Sequence, residues 1–148
     1  MAEITYTEAI DIAAPPESVF DYRLDFTTLP AYNPHVTNLR RTDHGSEPGP
    51  GAQYLFDLSL PGAPGPMETP LRVLQADRPG TVVIETGPDF MALETCRFSA
   101  TPDGTHVGFE TTLRFPGDID EDSAKAIEAS GREQAHIELD LMKKILEG

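Results

Sequence analysis

Between Phe90 and Ala100 every second position (Phe90, Ala92, Glu94, Cys96, Phe98, Ala100) falls on one face of an alternating run, and Glu94 alone on that face is charged. Such alternation marks a strand with one face turned inward, so Glu94 is expected to stand as a carboxylate among apolar neighbours. Burial disfavours the ionised form, raises a carboxyl's pKa, and so suits it to move a proton from a carbon acid or to a carbonyl oxygen. The alternative is a partly solvated carboxylate near a strand end, or one held by an arginine such as Arg72 or Arg97. His35 is the second candidate acid or base, because imidazole titrates near neutral pH. A histidine where a short helix meets the following strand, as His35 is expected to stand, is more commonly exposed or bonded to backbone.

Residues suited to hold an apolar ligand surround these two. Tyr22 and Tyr54 carry hydroxyls that can reach a ligand, and Tyr32 is expected first of all to anchor a turn. If Tyr54 points inward, Phe56 and Leu58 follow, while Asp57 and Ser59 face solvent. Phe90 and Phe98 share the face of Glu94, and Phe109, Thr111 and Leu113 form a floor in which Thr111 offers a hydrogen bond. Ile127, Gly131 and Ala135 complete the list of substrate-contact candidates; each of these is also ordinary core material. Cys96, the single cysteine, permits no intrachain disulfide and reads as a small buried apolar residue. The four histidines show none of the short spacings used by zinc sites, so neither a metal nor another cofactor is expected.

The elements that position these residues are legible in turn. Ile4, Tyr6, Glu8, Ile10 and Ile12 alternate as a first strand, and Pro15-Pro16 ends it and suits the first turn of a helix. Val19, Phe20 and Leu24 follow at helical spacing, with a second short helix predicted over 25–31 and closed by Asn33-Pro34. Strands are predicted at 36–42, 53–60, 67–76, 81–86, 90–100 and 105–115, joined by proline- and glycine-containing breaks that include exposed loops at 45–51 and 61–66. From Ile119 onward one long helix is expected, capped by Asp118 or Asp120, with a stripe of Ala124, Ile127, Gly131, Ala135, Glu138 or Leu139, Met142 and Ile145 or Leu146. The stripe is small in its first half, predicting open space beside 124–135 and packed core beside 142–146. Gly131, which costs about 1 kcal/mol relative to alanine in a helix, reflects close packing, room for a ligand, or a tolerated glycine.

The chain of 148 residues has the length of one domain, 1–148. Its net charge of -14 argues against nucleic acid and anionic membrane surfaces. With no signal-peptide pattern at the N-terminus and no apolar run able to span a membrane, a cytoplasmic protein is expected. Edge strands and a cavity mouth permit a homodimer as well as a monomer.

The pattern apolar-x-apolar-Ala-Pro-Pro-Glu-x-Val-Phe-Asp-Tyr over 10–22, followed by Leu29-Pro30, Tyr32 and Asn33-Pro34, resembles the START/Bet v 1-like (SRPBCC) superfamily in its polyketide cyclase/dehydrase branch. Asp103-Gly104-Thr105 is similar to the last hairpin of that family, and 141–147 to its closing helix. The resemblance implies an α+β helix-grip fold: a curved antiparallel seven-stranded sheet wrapped around a long C-terminal helix, with two short helices after the first strand and a central cavity. It also implies a hydrophobic small-molecule ligand, and places Tyr32, Asn33 and His35 at the cavity entrance. Cyclases of the family hold a poly-β-keto chain with a cavity arginine and tyrosine, and no arginine on the predicted strands matches that one: Arg72 and Arg97 both face away from Glu94. Two main readings follow, a cofactor-independent cyclase or dehydratase of secondary metabolism and a non-catalytic carrier or sensor; a chaperone-activator-like interaction module is a third. Glu94 inward and unpaired favours the enzyme, Glu94 bonded to an arginine favours the carrier, and a cavity filled by side chains favours the interaction module.

Overall fold

The computed structural model describes residues 2–60 and 62–148; Pro61, with which the expected 61–66 loop begins, and Met1 lie outside the described residues. Strand β1 (Ala2–Ile12) leads into helix α1 (Pro16–Leu24), a 3-10 turn (Phe26–Thr28) and the short α2 (Leu29–Tyr32). Strands β2 (Val36–Arg41), β3 (Gln53–Leu58), β4 (Met67–Asp77), β5 (Thr81–Thr86), β6 (Ala92–Thr101) and β7 (Gly104–Phe115) follow, and α3 (Glu121–Glu147) closes the chain. The strands form one seven-stranded sheet in the order β1-β7-β6-β5-β4-β3-β2, with antiparallel neighbours throughout. The sheet curves around α3, and the helix-grip arrangement expected from the sequence is the one found.

The element boundaries carry two corrections. The predicted helix over 25–31 is split, because Pro30 has no amide hydrogen and is accommodated only where a new helix starts; Asp25 caps the preceding turn by accepting from Thr27 N at 3.1 Å. Phe90 is not in a strand. It ends a 3-10 turn (Pro88–Phe90), with φ of 51°, and its ring lies 4.0 Å beneath the Arg72 guanidinium, whose charge pairs with Glu85.

Helix α3 is fixed at both ends. Asp120 Oδ1 accepts from Ser123 N at 2.8 Å, satisfying one of the donors that every helix start leaves free. At the far end Glu147 accepts from Ala13 N at 2.8 Å and Lys143 donates to Asp11 O at 2.8 Å, tying the helix to the end of β1. Between them Leu139 and Met142 are fully buried, while Ile145 is exposed and Leu146 takes the packing position. Asp120→Ala should lower stability through loss of the cap, read as a lower urea midpoint with unchanged slope.

One contiguous core fills part of the concave face. α1, the 3-10 turn and α2 press Val19, Phe20, Phe26, Leu29 and Tyr32 onto the middle strands, where they meet Leu139 and Met142 from the second half of α3. The first half of α3 touches β1 at Gly131 and Tyr6, and elsewhere its Ala126, Ile127 and Ser130 border open space between helix and sheet.

Candidate functional site

The inward register brings three polar side chains into one cross-strand row. Tyr6 on β1 pairs with Thr111 on β7, and Thr111 pairs with Glu94 on β6, so all three project side by side from the concave face. Above this row lies a cavity of about 530 Å³. Its sheet side is completed by Phe56, Leu58, Thr69 and Leu113, its helix side by Ala126, Ile127, Ser130, Gly131 and Gln134, and its rim by Asn33, His35, Leu60 and the turn at 86–92.

Of the sequence-predicted residues, Glu94, His35, Phe56, Thr111, Ile127 and Gly131 line this cavity. The rest lie elsewhere because α1 and α2 occupy the other half of the concave face. Tyr22 stacks at a tilt on Tyr32 with ring centroids 5.7 Å apart, and Tyr54 packs on Phe26 at 6.1 Å. Phe98 meets Phe20 edge to face at 5.6 Å, Phe109 lies 4.7 Å beneath a guanidinium, and Ala135 is enclosed in the core. Phe90 sits under Arg72 as described. Ala100, expected on the inward face of β6, is exposed. His35 lines the rim, its own amide donating to Asn33 Oδ1 at 3.0 Å.

Glu94 faces inward as expected, but it is not alone. Arg23 on α1, 2% exposed, donates through Nη2 to Glu94 Oε1 and through Nη1 to the Tyr32 hydroxyl at 3.0 Å. The same Nη1 lies 3.6 Å from Glu138 Oε1 on α3. Phe26 and Phe109 flank the guanidinium, at 5.0 and 4.7 Å from ring centroid to Cζ, and its Nε meets no acceptor among the described residues. Neither Arg72 nor Arg97 is the partner of Glu94; the arginine comes from a helix, which reasoning confined to the strands missed. Val19, Phe20 and Arg23 share one face of α1 at i, i+1 and i+4, so the spacing that marks the apolar face also marked Arg23.

A second, inner chamber of about 60 Å³ adjoins the cavity. Arg23 and Glu138 line it, and Asn33, Phe56, Thr86 and Glu94 line both spaces. Burial pushes the Glu138 carboxyl up to about 8, the nearby Glu94 charge adding to that shift and Arg23 opposing it. One cation thus serves two carboxyl groups, and near neutral pH Glu138 keeps its proton. Burial, with Glu94 beside it, raises the Tyr6 phenol to about 12, and burial also raises the Cys96 thiol, which is 1% exposed. Cys96 is therefore an apolar filler in its protonated form.

Gly131 reports close packing. A Cβ built there would fall 2.4, 2.5 and 2.8 Å from Tyr6 Cε1, Cζ and Oη. Gly131→Ala should cost about 1–3 kcal/mol by overpacking, more than the roughly 1 kcal/mol that alanine returns in helix propensity. In a Tyr6→Leu background the same substitution should become neutral or stabilising. Equal costs in both backgrounds, measured by urea unfolding, would remove Tyr6 as the cause.

The sequence matches the family described as polyketide cyclase / dehydrase and lipid transport over residues 3–147, and the chain belongs to that family. No curated protein sequence matches it. Among solved structures it is similar to the di-domain ARO/CYC StfQ from the steffimycin biosynthetic pathway, at 15% identity and a TM-score of 0.80 over 98% of this chain. The chain spans 51% of StfQ, about half its length. The KanY protein gives a TM-score of 0.80 at 19% identity with full coverage of both chains, and Ara h 8.0201 a TM-score of 0.74 at 12% identity with 98% of each chain covered. At these identities the likeness is one of fold. Among the described residues no helix is long and apolar enough to cross a membrane, and no group of three or more His, Cys, Asp or Glu is placed to hold a metal ion.

Proposed function

We propose that the protein is a carrier or sensor of a hydrophobic small molecule, held between the first half of α3 and the concave face of the sheet. An oxygen-bearing end of the ligand would meet the Tyr6–Thr111–Glu94 row. The observation that carries this reading is the pairing of Glu94 with buried Arg23: a carboxylate whose charge is already compensated, and one of whose oxygens is occupied, is a weak base toward a carbon acid. The cavity remains open, at about 530 Å³, which does not favour an interaction module with its interior filled.

A specific observation favours a second reading, that of a polyketide cyclase or dehydratase-like enzyme. The Tyr6 hydroxyl, a donor, and Glu94, an acceptor, flank Thr111 in one row facing the cavity, so one substrate oxygen and its neighbouring carbon can meet both. In that reading Glu94 transfers the proton, with Tyr6 and His35 as positioning groups.

Native mass spectrometry of the purified protein, followed by denaturing extraction, separates the two. The same copurified apolar molecule in the same chemical form from the wild type and from Glu94→Gln supports the carrier. A molecule whose form differs between them supports the enzyme. A cavity that captures no apolar molecule, even when the protein is incubated with an extract of hydrophobic metabolites, would sink both.

A further inference from the structure

Glu94 and Glu138 share one guanidinium but not one environment. Glu94, 14% exposed, faces the main cavity on one side and Arg23 on the other, whereas Glu138, 13% exposed, borders the inner chamber and not the main cavity. While the cavity is open, water reaching Glu94 helps to hold its charge and leaves part of the Arg23 field for Glu138. An apolar molecule in the cavity removes that water. Glu94 must then rely on Arg23 alone, and Glu138 loses its share of that counter-charge at a largely buried position, where a bare carboxylate is costly. Among the described residues the other ionisable groups facing the pair are Tyr6 from β1, Tyr32 from α2 and Cys96 from β6, and His35 lines the rim of the same cavity.

We propose that, once the pH is high enough for Glu138 to have released its proton in the open protein, filling the main cavity makes the Glu94–Glu138 pair take one proton back from solvent, so that the protein there binds its apolar ligand together with H⁺ and releases it as the pH rises further. The inference rests on the main cavity being the ligand site. It adds a regulatory property to that site, and it concerns binding whether or not chemistry follows.

The probe is N-phenyl-1-naphthylamine, an uncharged apolar fluorophore, titrated into the full chain between pH 6.5 and 9.5. Ile127→Trp, which narrows the cavity, should abolish the signal and so locate the dye. In the wild type we expect a dissociation constant that weakens about tenfold for each unit by which occupancy raises the pair's pKa, with at least a tenfold total change. Calorimetry at pH 8.5 in two buffers of different ionisation heat should count an uptake approaching one proton per dye. Glu138→Gln should bind with a flat pH profile. Cavity-bound dye with a flat wild-type profile and no proton uptake overturns the inference and leaves the cavity reading standing, as does a pH dependence that survives in Glu138→Gln. No dye binding at any pH, or binding that Ile127→Trp leaves intact, overturns the cavity reading itself. Should Glu138→Gln fail to fold, the wild-type proton count decides alone.

Discussion

Arg23→Met is expected to cost about 3–5 kcal/mol of stability, the usual penalty for removing one partner of a buried ion pair. Methionine keeps the apolar stem of the side chain but ends short of the guanidinium that Phe26 and Phe109 flank. It removes the cation that compensates Glu94 and Glu138, and the donor to the Tyr32 hydroxyl. The loss should therefore be a matter of stranded charge more than of volume. Two measurements separate those causes. The deficit should be smaller at pH 5 than at pH 8, because carboxyl groups deprived of their counter-ion can escape by binding protons. The triple variant Arg23→Met, Glu94→Gln, Glu138→Gln should recover most of the loss, since replacing a whole buried ionic group costs far less than breaking it. Urea titrations of the three proteins at both pH values decide the matter. A deficit below about 1 kcal/mol, or one independent of the two carboxyl groups, would mean that Arg23 does not hold the cluster.

The cluster also shows where sequence reading reached and where it stopped. The period of β1, the Pro15-Pro16 handover and the inward face of β6 were legible because each depends on local pattern alone: alternation, a missing amide hydrogen, an apolar stripe. The inward direction of Glu94 was legible for the same reason. Its partner was not, because Arg23 and Glu94 are 71 positions apart and meet only once α1 folds across the sheet. Both charged members on helices nevertheless left a trace. Arg23 stands four residues after Val19 on the buried face of α1, and Glu138 stands three after Ala135 and four before Met142 on the buried face of α3. Opposite charges at core positions of two helices that grip one sheet form a pairing hypothesis that spacing alone supplies. Phe90 misled because alternation continues through it while the backbone does not. Gly87 and Pro88 break the strand there, and the ring finds Arg72 outside the cavity. Tyr6 stands in the alternating run of β1, and its place in the site is not legible there, since nothing local indicates that β1 lies beside β7 with Thr111 between Tyr6 and Glu94.

Glu138→Gln should make the protein more stable than the wild type by an amount that grows with pH. The ordinary value of a glutamate carboxyl is 4.5, and in the folded protein that of Glu138 stands at about 8. Below pH 4.5 both the folded and the unfolded chain hold the proton, Glu138 behaves as a neutral side chain, and glutamine imitates it. Between about 4.5 and 8 the unfolded chain has released the proton while the folded chain retains it, so rising pH favours unfolding by up to about 1 kcal/mol per pH unit. Above about 8 the folded carboxyl ionises too, and the difference levels off. The advantage of the variant should accordingly be near zero at pH 4.5, rise through neutrality, and reach a plateau of a few kcal/mol beyond pH 8, as read from urea midpoints across that range. Glu94→Gln gives the internal control. With Glu94 uncharged, the guanidinium is left to Glu138, whose ionised form then has a counter-charge, and the dependence on pH should shrink. A wild type and Glu138→Gln that run parallel from pH 5 to 9 would show that Glu138 ionises in the folded chain as freely as in the unfolded one, and would dissolve the picture of two carboxyl groups competing for one arginine.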